Sequence, residues 1–109
     1  MTVESDVAAF DVGSARVIRL RGDIDLELIR RLRTAVAQSL ADRPDRLVID
    51  LAEVLFIDSM GLGVLITGCK DAQRAGMPYL LGRPSPFVAK LLQTTALTSM
   101  FDITQDVPE

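Results

Sequence analysis

The sequence predicts an α/β fold: a mixed β-sheet of about four to five strands with helices packed against it. Three observations lead there. Short β-branched runs alternate with amphipathic stretches of helical length, the pattern of a sheet joined by crossover helices. Two strand-like segments open the chain, separated by Gly13-Ser14, so a hairpin precedes the crossovers. At 109 residues, with no linker or internal repeat, one domain over residues 1–109 is expected.

Taken in order, Val7 to Val12 reads as a strand pairing across Gly13-Ser14 with Arg16 to Arg21, where Ile18 and Leu20 are interleaved with arginines. Gly22-Asp23-Ile24-Asp25 then reads as a turn into a helix, with Asp25 as N-cap and Glu27 in the first turn. Leu26, Ile29, Leu32, Val36 and Leu40 recur at helical spacing and form its apolar stripe, and Pro44 stops it. Leu47 to Leu51 is a β-branched run, expected as a central strand. Asp58-Ser59 opens a second helix with Leu62, Leu65, Ile66 and Cys69 on one side, and Arg74-Ala75-Gly76 suits its end. Met77 to Leu81 reads as a strand. Ser85-Pro86 supplies an N-cap and first-turn proline for a third helix that turns Phe87, Val88, Leu91 and Leu92 inward. Leu97, Met100, Phe101 and Ile103 close the chain as a short edge strand. Right-handed crossovers carry the helix N-termini, and with them Ser59, to the carboxyl ends of the strands.

Composition narrows the function. With 49% hydrophobic and 25% charged residues the chain belongs with folded globular proteins rather than disordered ones. The uncharged stretch Ser59 to Cys69 is about half of the roughly 20 residues that a spanning helix needs, so membrane insertion is not expected. Met1 to Phe10 carries Glu4 and Asp6 without a basic start, so no secretory leader is expected. A single cysteine cannot form an internal disulfide, and a reducing, cytoplasmic setting follows. Arg16, Arg19 and Arg21, with Arg30, Arg31 and Arg33, are the dense basic clusters. They read as solvated faces, or more sharply as a patch for an acidic partner. The net charge of −3 and the scarcity of aromatic residues speak against nucleic acid.

Catalysis finds few parts. The chain has no histidine, so a Ser-His-Asp relay around Ser59 is excluded, and a nucleophile elbow would need glycine where Ile57 stands. Lys70 lies about three turns along the helix from Ser59, too far to activate it, and Lys90 is no better supported. One cysteine without histidine makes no zinc site. Gly61-x-Gly63 has Ile66 where a dinucleotide fingerprint needs its third glycine, and no P-loop is present. Neither enzyme activity, metal nor cofactor is expected.

The window Val54 to Leu65 holds most of the information. Asp58 and Ser59 cap a helix, yet Gly61 and Gly63 each cost it about 1 kcal/mol relative to alanine. Close approach by the sheet or by a partner's surface would each account for them. Asp58-Ser59-Met60-Gly61-Leu62-Gly63-Val64-Leu65 resembles the D-S-[ST]-G-L-G-x-[LIV] signature of bacterial STAS-domain anti-sigma-factor antagonists. Gly22-Asp23-Ile24-Asp25 is similar to the same family's G-[ED]-[LIV]-D element, and Ser85-Pro86, Val88, Leu91-Leu92, Leu97 and Phe101 continue its pattern. The match runs over about residues 7 to 103.

That resemblance implies a STAS-like sheet and a partner-switching protein of transcription regulation. The unmodified form would bind an anti-sigma factor that is also a serine kinase of the histidine-kinase-like ATPase fold, freeing the sigma factor. Phosphorylation of Ser59 would release it, and a metal-dependent serine phosphatase would reset it. Asp23, Asp25, Asp58, Ser59, Met60, Gly61, Leu62 and Gly63 would form the partner-binding surface. Two departures stand out: Met60 replaces the usual serine or threonine, and the chain reaches Glu109 with little room for the C-terminal helix of many members. STAS domains also serve as interaction modules of stress-signalling assemblies and of lipid- or anion-transport complexes, the alternative role. Retention of Asp58-Ser59 favours the phosphoswitch.

Overall fold

The computed structural model describes residues 4–109; residues 1–3, the start of the stretch read for a leader, lie outside it. Strand β1 (Asp6–Val12) turns at Gly13, whose positive φ of 59° suits a tight reversal, into β2 (Ala15–Ile24). Helix α1 (Leu26–Asp42), β3 (Arg46–Ile57), α2 (Ser59–Ala75), β4 (Tyr79–Gly82) and α3 (Pro86–Thr94) follow. A single 3-10 turn (Thr98–Met100) then leads into β5 (Asp102–Thr104). The sheet runs β1-β2-β3-β4-β5, antiparallel between the first two strands and parallel thereafter.

Because the strands add sequentially, crossovers of one hand place all three helices on one face. Ile18, Ile49 and Leu81 stand in register across the three central strands, wholly buried on that face with Leu32, Leu65, Val88 and Leu92 of the helices. The alternate residues Val17 and Val48 point the other way, into a small second cluster closed by Val107. Tyr79 fastens sheet to helix by donating its buried hydroxyl to the Leu65 carbonyl at 2.9 Å, and burial pushes its pKa far up.

The helix boundaries follow local chemistry. Asp25 accepts from the Leu28 N–H, and Ser85 from the Val88 N–H with Pro86 in the first turn. Helix α2 ends on Gly76 in the left-handed region, where Met77 N–H reaches back to the Ala72 carbonyl at 2.9 Å. Helix α1 ends one residue before Pro44, on Arg43 with φ 52°.

Several sequence expectations are corrected. Gly22-Asp23-Ile24 is not a turn but the end of β2. The central strand is longer than Leu47 to Leu51, running from Arg46 to Ile57. Chain reversal takes up Met77 and Pro78, so β4 begins at Tyr79. The final apolar cluster starts in the 3-10 turn before the edge strand. Leu26 and Phe87, each in the first turn of its helix, are exposed; Leu28 takes the inward place in α1. The basic clusters are mostly consumed internally: Arg16 pairs with Asp11 and Asp42, Arg21 with Glu53, Arg31 with Asp6, and Arg19 lies over the Phe10 ring.

Candidate functional site

Strands β2 and β3 end side by side, with Ile24 paired to Ile57. Each is followed at once by an aspartate that caps a helix, Asp25 for α1 and Asp58 for α2. The register between the strands shifts twice on the way, after Arg19 and again after Gly22, and each time β3 advances one residue more than β2. Such bulges bend a strand and re-aim its end. Gly22 is needed there. Its φ is +74°, and a Cβ would lie 2.6 Å from Ser5 Oγ, the same oxygen that accepts from the Asp23 N–H at 3.1 Å.

Asp58 Oδ1 accepts from the Met60 and Gly61 N–H groups at 3.0 and 3.1 Å, satisfying free donors of the first turn. Ser59 is the first helical residue and is exposed, as are Asp23, Asp25, Asp58 and Met60. Its hydroxyl therefore stands at the positive end of a helix beside a carboxylate already spent on capping. The structure thus gathers Asp25, Asp58, Ser59 and Met60 at one end of the sheet, with Asp23 two residues upstream on β2.

Two residues of the expected partner-binding set share this first stretch of α2 but are buried. Gly61 and Leu62 are buried, and Leu62 belongs to the main core, so neither presents a side chain to a partner. A Cβ on Gly61 would overlap Ile57 Cγ1 and lie 2.6 Å from its Cδ1. Close packing on the sheet explains that glycine. Gly63 differs: a Cβ there would meet nothing within 4 Å. Approach by the sheet, one of the two explanations left open by the sequence, therefore holds for Gly61 and not for Gly63.

Of the exposed apolar residues around Ser59, sequence reasoning named Met60 but missed Leu26 and Phe56. Met60, Leu26 and Phe56 are about half exposed, at 52%, 49% and 48%, and Phe56 meets the exposed Phe87 with ring centroids 5.3 Å apart. The signal was the unbroken run Val54-Leu55-Phe56-Ile57, which exceeds what one buried face of a strand consumes. Cys69, by contrast, is buried in the core, and burial pushes its thiol pKa up, as expected of an inert cysteine. Among the described residues no helix is long and apolar enough to cross a membrane, and no cluster of metal-ligating side chains occurs.

The model of the STAS domain family matches residues 7–109, and the chain belongs to that family. It is 39% identical over 59 residues to the anti-sigma-F factor antagonist RsfB of Mycobacterium tuberculosis, a match covering 54% of this chain and 48% of that one. The chain therefore spans about half the length of the curated relatives it matches. Its fold is that of an anti-sigma factor antagonist from Mycobacterium paratuberculosis, with a TM-score of 0.82 at 24% identity over 97% of this chain and 88% of that one. The Bacillus cell fate determinant SpoIIAA in its phosphorylated form has the same fold, with a TM-score of 0.75 at 19% identity over 93% of each chain.

Proposed function

We propose that this chain acts as a one-domain anti-sigma-factor antagonist in the cytoplasm, a binding switch rather than an enzyme. In its unmodified form it binds an anti-sigma factor that is also a serine kinase of the histidine-kinase-like ATPase fold, and the sigma factor is freed. Phosphorylation of Ser59 abolishes that binding, and a serine phosphatase restores it. The observation that carries the reading is the exposed Ser59 at the start of α2, flanked by Asp58, in a chain of the STAS family. Related proteins described as anti-sigma factor antagonists support it, one of them known in a phosphorylated form.

The surrounding surface suits the role. Met60, Leu26 and Phe56 supply exposed apolar area next to the hydroxyl, while Asp23, Asp25 and Asp58 supply a polar, acidic rim. The mechanism needs only a neutral hydroxyl in the unmodified interface and a dianion in the modified one. The test is incubation with the cognate anti-sigma kinase and ATP, followed by mass-spectrometric mapping. One phosphate on Ser59, absent from Ser59→Ala, is the expected result. Modification elsewhere, or unchanged modification of Ser59→Ala, overturns the assignment.

A further inference from the structure

Helices α1 and α2 leave between them an open groove of about 430 Å³, which begins at Met60, the neighbour of Ser59. Val36, Leu40 and Val64 give it an apolar lining. That volume lies in the range of sites that accept an inserted group. Its walls carry Arg33 from α1 and Asp71 from α2. Asp71 is engaged by Arg74, one turn along its own helix. Arg33 takes part in no ion pair among the described residues, although Arg16, Arg21, Arg31, Arg74 and Arg83 all do. The charge left to act in the groove is positive.

Gly63 also lines this groove, and it is the glycine whose absent side chain nothing inside the domain requires. Gly68, deeper in the groove, is accounted for internally: a Cβ there would lie 3.0 Å from the Tyr79 hydroxyl and 3.1 Å from Val36. A glycine in a helix interior is unfavourable relative to alanine. At Gly63 no packing inside the domain offsets that cost, and the bare backbone leaves room for close approach of another chain to α2.

We infer that this groove receives a segment of the partner that carries an apolar side chain next to a carboxylate, the apolar group seating against Gly63 and Val64 and the carboxylate pairing with Arg33. The inference rests on the antagonist reading and deepens it. The groove opens beside Ser59, at Met60, so one partner reaches both. It also gives the half-exposed Met60 a place at the edge of the contact rather than at a serine-like polar position.

The experiment is calorimetric titration of the cognate anti-sigma kinase with the unmodified full chain and two groove variants, Gly63→Leu and Arg33→Glu. Each variant is first checked for an unchanged circular dichroism spectrum; Gly63 has open space and Arg33 is exposed, so both should fold. Both are expected to bind at least tenfold more weakly. Arg33→Gln should in addition flatten the salt dependence of binding, which a merely structural role would leave unchanged. Wild-type affinity in the groove variants, with the kinase still bound by the native chain, overturns the groove and leaves the antagonist reading standing. No binding by the native chain overturns both. Octanoate at millimolar concentration, followed by amide chemical shifts, forms a separate arm. Occupation of the groove without competition against the kinase would make it a small-molecule site and also overturn the proposal.

Discussion

Ile24 and Ile57 are register partners at the ends of adjacent parallel strands, and the residue after each is the aspartate that caps the next helix. This one pairing brings two sequence elements, Gly22 to Asp25 and Asp58 to Leu65, to the same end of the sheet. Everything proposed for Ser59 depends on it, since the caps fix where the hydroxyl emerges.

Asp58 should be separable into a cap and a charge. Asp58→Ala removes the acceptor for the Met60 and Gly61 N–H groups. It is expected to cost about 1 kcal/mol, roughly 4–8 °C in a domain of this size. Asp58→Ser restores an acceptor without the charge and should recover most of that loss. Thermal melts of the three proteins decide it; equal losses in both variants would mean that the charge, not the hydrogen bonds, matters.

The glycines of α2 should respond in opposite directions. Gly63→Ala places a methyl in open space and should stabilise by about 1 kcal/mol through helix propensity. Gly61→Ala drives the methyl into Ile57, which is 2% exposed and cannot swing aside, so overpacking of about 1–3 kcal/mol should outweigh the gain. Urea midpoints measured at constant m-value test the sign of each. A stabilised Gly61→Ala would remove the packing explanation.

How much of this was legible in the sequence depends on how local the cause is. Asp25, Asp58 and Ser85 act on N–H groups two or three residues away, so their cap roles could be read directly. The order of strands and helices was legible for the same reason, since periodicity is a local property. Gly22 to Ile24 was misread because a glycine-aspartate pair signals a turn, whereas here two register shifts against β3 absorb it within the strand. Gly61 and Gly63 were indistinguishable because only the position of Ile57, from the preceding strand, tells them apart. Exposure of Leu26 and Phe87 depends on what the rest of the fold packs against the first turn of each helix, which spacing does not encode.

The ion pair between Asp50 and Arg83 should be sensitive to one-sided removal. Asp50 is 4% exposed, accepts from Arg83 Nη2 at 2.9 Å, and otherwise keeps only the Ala52 N–H at 3.2 Å. Arg83→Met strands that carboxylate, and the expected loss is roughly 2 kcal/mol, below that of a wholly buried pair because the arginine is partly solvated. Adding Asp50→Asn to Arg83→Met should return part of the loss. Denaturant titration of the single and double variants measures the coupling, and additive losses would show that the two groups act independently.

Phosphorylation of Ser59 should change binding without changing the fold. A helix N-terminus accommodates a phosphate, because free N–H groups and the helix dipole favour negative charge there. In this chain the Met60 and Gly61 N–H groups are already held by Asp58, so the phosphate gains less than it would at an uncapped helix. Added close to the carboxylates of Asp58 and Asp25, its charge of about −1.5 to −2 is expected to lower stability by no more than about 1 kcal/mol at low ionic strength. Raising salt towards about 1 M should bring the melting temperatures of the two forms together, since charge repulsion at the surface is then screened. Binding should behave differently. A partner surface shaped for a neutral hydroxyl would face a dianion without a counter-charge, and even 1.4 kcal/mol, about tenfold in affinity, is a modest expectation. Ser59→Asp should fall between the unmodified and phosphorylated proteins. Melts across a salt series, paired with calorimetric titration against the anti-sigma kinase, separate the two effects. A collapsed spectrum on phosphorylation would sink the local mechanism, and equal affinities before and after modification would sink the switch.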